Sequence, residues 1–150
     1  MTNSFAGVVL LVEDEPLVRL IAADILVDAN FRVIEVSNAA EALTVLRAGV
    51  AVDVLLSDVE MPPSINGYEL ACLTHEHWPT VEILITSGRE WPREVSLPPG
   101  AAFLAKPCPS ETLVSYVRSA AARAQAARAA AALKETDPDE GTVVAFSKIG

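Results

Sequence analysis

The chain has 150 residues, the size of one domain that buries a core without disulfides or a structural metal. Its formal net charge of −9 argues against nucleic acid as a partner, because nucleic-acid binding requires a basic surface that displaces counterions. No segment approaches the roughly 18 uninterrupted apolar residues of a membrane span, and carboxylates interrupt the region where a secretory signal would lie. Cys72 and Cys108 match no metal or redox spacing. We therefore expect a soluble, cytoplasmic protein that binds neither nucleic acid nor membrane.

Five short apolar segments predict five β-strands, at residues 8–12, 31–36, 52–57, 81–86 and 101–105. Segments with helical periodicity lie between them. One begins at Pro16, a second follows the candidate caps Ser37 and Asn38, and a third spans residues 67–77. This alternation predicts right-handed crossovers and a parallel sheet with helices on both faces, which is the doubly wound α/β class.

The last third of the chain has a different composition. Residues 87–100 contain three prolines, so we expect a short or distorted helix in the fourth connecting segment. The final helix is predicted over residues 109–134, about 39 Å at 1.5 Å per residue, and should project beyond the body of the domain. Its arginines at positions 118, 123 and 128 form no single stripe, which favours a solubilising role.

We accordingly expect a folded domain over residues 1–124, followed over residues 125–150 by an alanine-rich helical extension and an acidic, flexible tail. The tail is too short to form an effector domain. Deletion of residues 125–150 should therefore leave folding intact and remove only association through the final helix.

Polar side chains follow four of the predicted strands at their carboxyl ends. Glu13 and Asp14 follow the first strand, Asp58 the third, Thr86 the fourth and Lys106 the fifth. In an open parallel sheet these ends meet at one edge, beside the point where the strand order reverses. Three carboxylates in one crevice repel one another unless a cation bridges them, and oxygen-only ligation favours a hard ion such as Mg²⁺.

A divalent ion in this crevice would let one carboxylate attack a phosphoryl group. Asp58 stands alone at the end of a central strand, so it is the predicted nucleophile, while Lys106 offsets oxygen charge and Thr86 donates a hydrogen bond. Ser87 is the alternative hydroxyl, because adjacent strand residues point to opposite sides. Each residue also has a simpler interpretation: Asp58 as a turn residue, Lys106 as a surface lysine, and the first two acids as solvated residues at a helix start.

The ordered set resembles the receiver domain of two-component response regulators: an acidic pair, "DVEMP" with a later "NG", a threonine after the fourth strand and "KP" after the fifth. The resemblance covers roughly residues 6–120. It implies a five-stranded, flavodoxin-like sheet of order 2-1-3-4-5. It also implies that Asp58 accepts a phosphoryl group from a sensor histidine kinase or a histidine phosphotransfer protein. The protein would then be a phosphoacceptor with self-phosphorylation and autodephosphorylation that depend on Mg²⁺ or Mn²⁺, rather than a turnover enzyme.

The resemblance implies roles for further residues. Thr86 and Phe103 would form a switch pair, and the fourth connecting segment, the fifth strand and the final helix would form the readout face. Glu13 departs from the aspartate that is commoner in the family, and the loop from Asp58 to Gly67 is one residue longer than usual. The implied metal ligands are Glu13, Asp14, Asp58 and the backbone carbonyl of Glu60.

The function expected from these residues is that of a stand-alone receiver that signals by protein contact, to a downstream protein or a second copy through the final helix. The alternative is a receiver-fold binding module that works without phosphorylation, which Glu13 and the proline-rich connection favour. A nucleotide or flavin binder is disfavoured, because the acidic turn after the first strand would repel phosphate. A phosphohydrolase would need a cap domain, and no insertion is long enough to form one.

Overall fold

The computed structural model describes residues 4–59, 67–88 and 97–136. These residues form five strands: β1 (Gly7–Val12), β2 (Phe31–Val36), β3 (Val54–Asp58), β4 (Glu82–Ser87) and β5 (Ala102–Ala105). They also form four helices: α1 (Pro16–Asp28), α2 (Ala39–Arg47), α3 (Gly67–His77) and α4 (Ser110–Thr136). Every strand pair is parallel and the order is β2-β1-β3-β4-β5, which confirms the predicted doubly wound sheet.

Alternating side chains of the central strands separate the core into two layers. On one face, Leu55 of β3 belongs to a buried cluster completed by α2 and α3. On the other face, the adjacent Leu56 belongs to a cluster completed by α1 and α4. Each fully buried leucine contributes about 1.5–3 kcal/mol relative to an exposed one. The apolar sequence of β1 and β3 follows from burial on both faces, and the polar residues of the predicted site lie at the strand ends.

Local signals in the sequence set two of the helix starts. Pro16 occupies the first position of α1. At α2, the Asn38 side chain accepts a hydrogen bond from the Glu41 amide at 2.8 Å, and the Glu41 carboxylate accepts one from the Ser37 amide at 2.7 Å. The first bond satisfies a backbone donor that the first helical turn leaves open, so Asn38 is confirmed as the cap of α2, while Ser37 precedes it and donates to Glu41.

A buried carboxylate lies at the amino-terminal edge of the sheet, opposite the end that carries the predicted site. Asp53 is 2% exposed and accepts a hydrogen bond from the Val8 amide at 2.8 Å. Arg128 of α4 forms an ion pair with it, and Gln125 donates to the Ala6 carbonyl at 3.0 Å. The predicted boundary at residue 124 stays a prediction, but α4 contacts the sheet beyond it.

The arginines of α4 contact other parts of the domain. From their spacing we expected only a solubilising role, without such contacts. Arg118 lies 5.7 Å from the ring centroid of Phe31, and Arg123 pairs with Glu82 at 3.0 Å. The spacing of five residues did not reveal these contacts, because the side chains reach different parts of the sheet. Over the described ranges, none of the helices combines the length and apolar character that crossing a bilayer requires.

Two expectations concern residues that the structure does not describe in full. The distorted helix expected within residues 87–100 falls mostly outside the described residues, so it stays a prediction. The acidic tail from residue 137 onward also lies outside them. The final helix itself is continuous from Ser110 to Thr136, close to the predicted span of 109–134.

Candidate functional site

Three carboxylates and one ammonium group meet where β1, β3 and β5 end. Glu13, Asp14 and Asp58 each present a carboxylate oxygen, and these three atoms lie within 4.8 Å of one another. Lys106 Nζ lies 3.0 Å from Glu13 Oε1 and 3.4 Å from Asp58 Oδ2. The structure therefore brings together the four charged residues that the sequence placed at the carboxyl ends of three strands.

Strand register places the hydroxyl beside these charged groups. Asp58 is the last residue of β3 and lies opposite Thr86 of β4. The Val59 amide donates to the Thr86 carbonyl at 3.0 Å, which extends this pairing by one residue. The Thr86 side chain lines the same cleft as Asp58 and Lys106. The structure thus places Thr86 beside Asp58, and its role as the site hydroxyl stays a prediction.

The two acids that follow β1 have different surroundings. Glu13 is 4% exposed, and its carboxylate accepts hydrogen bonds from Lys106 and from the Glu15 amide, the latter at 3.2 Å. Asp14 is exposed to solvent. The Glu13 side chain is therefore buried within the site, while Asp14 lies on its solvent-exposed side.

The charges of the site act on one another. Burial is the largest influence on Glu13 and raises its pKa above the ordinary value, against the opposing effect of the hydrogen bond from Lys106. Burial by itself would lower the pKa of Lys106. The hydrogen bond to Glu13 and the charges of Asp58 and Glu13 outweigh it, so the pKa of Lys106 is raised and its ammonium form is retained at neutral pH.

The donor set fits a hard divalent cation. An octahedral Mg²⁺ about 2.1 Å from each ligand holds neighbouring oxygens about 3 Å apart and opposite ones about 4.2 Å apart. The three carboxylate oxygens all lie within 4.8 Å of one another, close to the separation of oxygens that share one such ion. Glu13, Asp14 and Asp58 would hold the ion. The fourth expected ligand, the backbone carbonyl of Glu60, lies outside the described residues.

Gly67 allows α3 to begin directly against the end of β3. Its amide donates to the Val59 carbonyl at 2.9 Å, and a Cβ at this position would lie 2.2 Å from the Asp58 carbonyl oxygen. Only glycine permits so close an approach of the two backbones. The glycine of the "NG" pair thus fixes the backbone of the predicted nucleophile.

Phe103 of β5 belongs to the core layer beneath α2 and α3. It is half-buried and packs against the core layer that contains Leu10 and Ile85, on the side of α2 and α3. Thr86 lines the cleft beside α1. The pairing of these two residues as a switch stays a prediction.

Sequence reasoning missed Arg19. Its Nη1 donates to the Glu13 carbonyl oxygen at 2.8 Å, and its Nε lies 3.6 Å from Glu35 Oε1. The sequence signal was weak, because a single arginine within an amphipathic helix is an ordinary surface residue. Its contact depends on how α1 lies against the end of β1, which periodicity does not reveal.

An apolar cleft of about 300 Å³ opens beside the charged residues, between α1 and the start of α4. On α1 it is continuous with an apolar surface, where Leu17 is 67%, Leu20 52% and Ile21 53% exposed. Such contiguous apolar exposure marks interaction surfaces on soluble proteins. The apolar lining of the cleft comprises Leu11, Val12, Val18, Ile21, Ala22, Ile25, Leu56, Pro107, Cys108 and Leu113.

Comparison with known proteins gives one consistent family. Residues 9–118 match the family model described as the response regulator receiver domain. A response regulator receiver protein from Sinorhizobium medicae WSM419 is 30% identical with a TM-score of 0.72, over 78% of this chain and 96% of that one. The receiver domain of the hybrid histidine kinase CckA is 33% identical with a TM-score of 0.66, over 77% and 99%. TrrA from Thermotoga maritima, a response regulator crystallised in complex with Mg²⁺-BeF, shares the fold at 23% identity and a TM-score of 0.69, over 76% and 98%.

Proposed function

Because the chain belongs to the response regulator receiver family, we propose that Asp58 accepts a phosphoryl group in a Mg²⁺-dependent reaction. The donor would be the phosphohistidine of a sensor histidine kinase or of a histidine phosphotransfer protein. The observation that carries this proposal is the Lys106 ammonium between Glu13 and Asp58, at 3.0 and 3.4 Å, with Asp14 completing the acidic set. The phosphorylated protein would signal by contact with other proteins.

The geometry supports an in-line transfer to Asp58. A carboxylate oxygen of Asp58 attacks phosphorus, the new P–O bond forms, and the P–N bond to the donor histidine breaks, so the imidazole nitrogen keeps the bonding pair. Lys106 lies beside the same carboxylate and offsets the charge of the phosphoryl oxygens. Thr86 lines the cleft at the end of the neighbouring strand and can donate its hydroxyl hydrogen. A bound Mg²⁺ would neutralise further oxygen charge.

The exposed apolar surface of α1 supports a protein as donor. Its residues Leu17, Leu20 and Ile21 lie on the first two turns, directly after the acidic residues that follow β1. A partner that covers this surface would bring a phosphohistidine to the mouth of the site and exclude water from it. We further propose that the exposed end of α4 contacts a downstream protein or a second copy, and that the protein acts in the cytoplasm.

The direct test is incubation with Mg²⁺ and acetyl phosphate, followed by measurement of intact mass. We expect one added phosphoryl group that requires Mg²⁺, is absent in Asp58→Asn and is retained in Asp24→Asn, a control on the exposed face of α1. Binding of Mg²⁺ is measured in parallel by calorimetry. A protein that neither binds Mg²⁺ nor gains a phosphoryl group, from acetyl phosphate or from a phosphorylated kinase, would instead be the phosphorylation-independent binding module.

A further inference from the structure

Arg19 connects three elements next to the acidic residues. It lies in the first turns of α1, and its Nη1 donates to the Glu13 carbonyl oxygen at 2.8 Å. Its Nε lies 3.6 Å from Glu35 Oε1, on the neighbouring strand β2. The side chain is largely buried, with 22% of its surface exposed. One guanidinium therefore links the end of β1 to α1 and β2.

This contact fixes the backbone at the residue where β1 ends. The Glu13 amide donates to the Val36 carbonyl at 3.1 Å, so with the Arg19 bond both backbone polar groups of Glu13 are held. The next residue, Asp14, is exposed, and one of its carboxylate oxygens lies within 4.8 Å of carboxylate oxygens of Glu13 and Asp58. Holding the peptide between these two acids restricts the direction in which both side chains leave the backbone, and both carboxylates lie near that of Asp58. Backbone that is ordered in advance loses less conformational entropy when a ligand binds.

We propose that Arg19 is a positioning residue for the divalent cation, acting through the backbone of Glu13 rather than by touching the ion. This inference rests on the proposed function, because it assigns Arg19 to the same metal site. A guanidinium near a cation site would ordinarily repel the cation. Here Glu35 on β2 pairs with the Arg19 guanidinium and offsets its charge. The Nε of the planar guanidinium faces Glu35 while its Nη1 donates to the Glu13 carbonyl oxygen.

A merely structural role would also link α1 to β2, so the test must separate stability from metal affinity. We would measure Mn²⁺ binding to the full chain from the electron paramagnetic resonance signal of free Mn²⁺, with Mg²⁺ as competitor. Thermal unfolding of the metal-free protein is measured on the same samples. Binding is measured well below the unfolding temperature of every variant, so that all of them are folded.

We expect Arg19→Gln to weaken Mn²⁺ affinity roughly tenfold, the loss typical of residues that orient metal ligands. Arg19→Lys, which can donate one hydrogen bond, should restore part of the affinity, and Glu35→Gln should show a smaller loss because the backbone bond survives. The matched control is Arg32→Gln, which removes an exposed arginine on β2 and should bind as wild type does.

The outcomes distinguish this inference from the proposed function. If Arg19→Gln binds Mn²⁺ as tightly as wild type while its unfolding temperature falls, Arg19 is structural and the inference is overturned. If wild type itself binds neither Mn²⁺ nor Mg²⁺, the metal-dependent function is overturned and the inference with it. Reduced affinity in Arg19→Gln with partial rescue in Arg19→Lys supports the positioning role.

Discussion

The ammonium of Lys106 lies closer to Glu13 than to Asp58, at 3.0 Å from Glu13 Oε1 and 3.4 Å from Asp58 Oδ2. One cation thus bridges the acid at the end of β1 and the predicted nucleophile at the end of β3. The Glu13 side chain is 5% exposed, so its charge depends on this partner more than that of Asp58, which is 14% exposed. Lys106 therefore has two roles, in the stability of the site and in the proposed phosphoryl transfer.

Removing the Lys106 ammonium tests both roles. We expect Lys106→Met to slow phosphorylation by acetyl phosphate about 100-fold, the usual cost of losing one preorganised group that faces developing charge. It should also destabilise the metal-free protein, because Glu13 is left buried without its partner. Time courses of intact mass and urea unfolding measure the two effects. Lys134→Met, at an exposed position of α4, is the control and should change neither.

The stability of the metal-free protein should depend on pH through Glu13. Because burial raises the pKa of Glu13 above its ordinary value of 4.5, the folded state binds this proton more tightly than the unfolded state does. The resulting stabilisation is present below pH 4.5 and is lost as the pH rises through the raised pKa.

The variant Glu13→Gln isolates this effect. The difference in free energy of unfolding between wild type and Glu13→Gln should fall as the pH rises from 4.5 toward neutral. Under the proposed function Mg²⁺ would bind the ionised carboxylate, so its addition should reverse the trend in wild type. Urea unfolding at several pH values from 4.5 toward neutral measures this difference in free energy of unfolding. A difference that stays constant with pH would contradict a raised pKa of Glu13.

Gly67 is expected to be essential for the placement of Asp58. In Gly67→Ala the new Cβ would lie 2.2 Å from the Asp58 carbonyl oxygen, so one of the two backbones must move. We expect a loss of about 1–3 kcal/mol in the free energy of unfolding, together with slower phosphorylation. Gly88→Ala is a matched control, because a Cβ there meets no heavy atom within 4 Å. Equal behaviour of the two variants would contradict the role assigned to Gly67.

The contacts of α4 at the far edge of the sheet change the expected effect of truncation. A chain ending at residue 124 loses Gln125 and Arg128, which leaves the buried Asp53 carboxylate without its cationic partner. Because Arg128 is partly exposed, we expect a loss of about 2 kcal/mol in the free energy of unfolding.

A chain ending at residue 132 keeps both contacts and should unfold at the same urea concentration as the full protein. The point variant Arg128→Met should reproduce the loss seen in the shorter chain. If the chain ending at residue 124 is as stable as the full protein, the sequence-based expectation that residues 125–150 are dispensable for folding is correct instead.

Much of the site was predictable, because its residues stand at strand ends within a strong periodic pattern. Asp58 follows a buried apolar strand, and Lys106 follows another, so the parallel sheet alone brings them to one edge. The capping residues of α2 were predictable for a similar reason, since the signal is local in sequence.

The contacts that sequence reasoning missed depend on the relative placement of distant elements. Arg19 reaches the Glu13 carbonyl only because α1 lies at a particular angle to β1. Asp53 lies directly before the buried strand β3 and pairs with Arg128, which is 75 residues further along the chain. The two meet because α4 packs beside the amino-terminal ends of the strands. Neither partner can be identified from spacing, since many side-chain pairs satisfy the same periodicity.

The central claim is that Asp58 itself carries the phosphoryl group, and the most direct test locates the modification. The protein is incubated with acetyl phosphate and Mg²⁺ and then treated with borohydride, which reduces an aspartyl phosphate to homoserine, and the peptides are analysed by mass spectrometry. We predict homoserine in place of Asp58 only in samples that contained both Mg²⁺ and the phosphodonor. Reduction at another acidic residue, with Asp58 unchanged, would contradict the account.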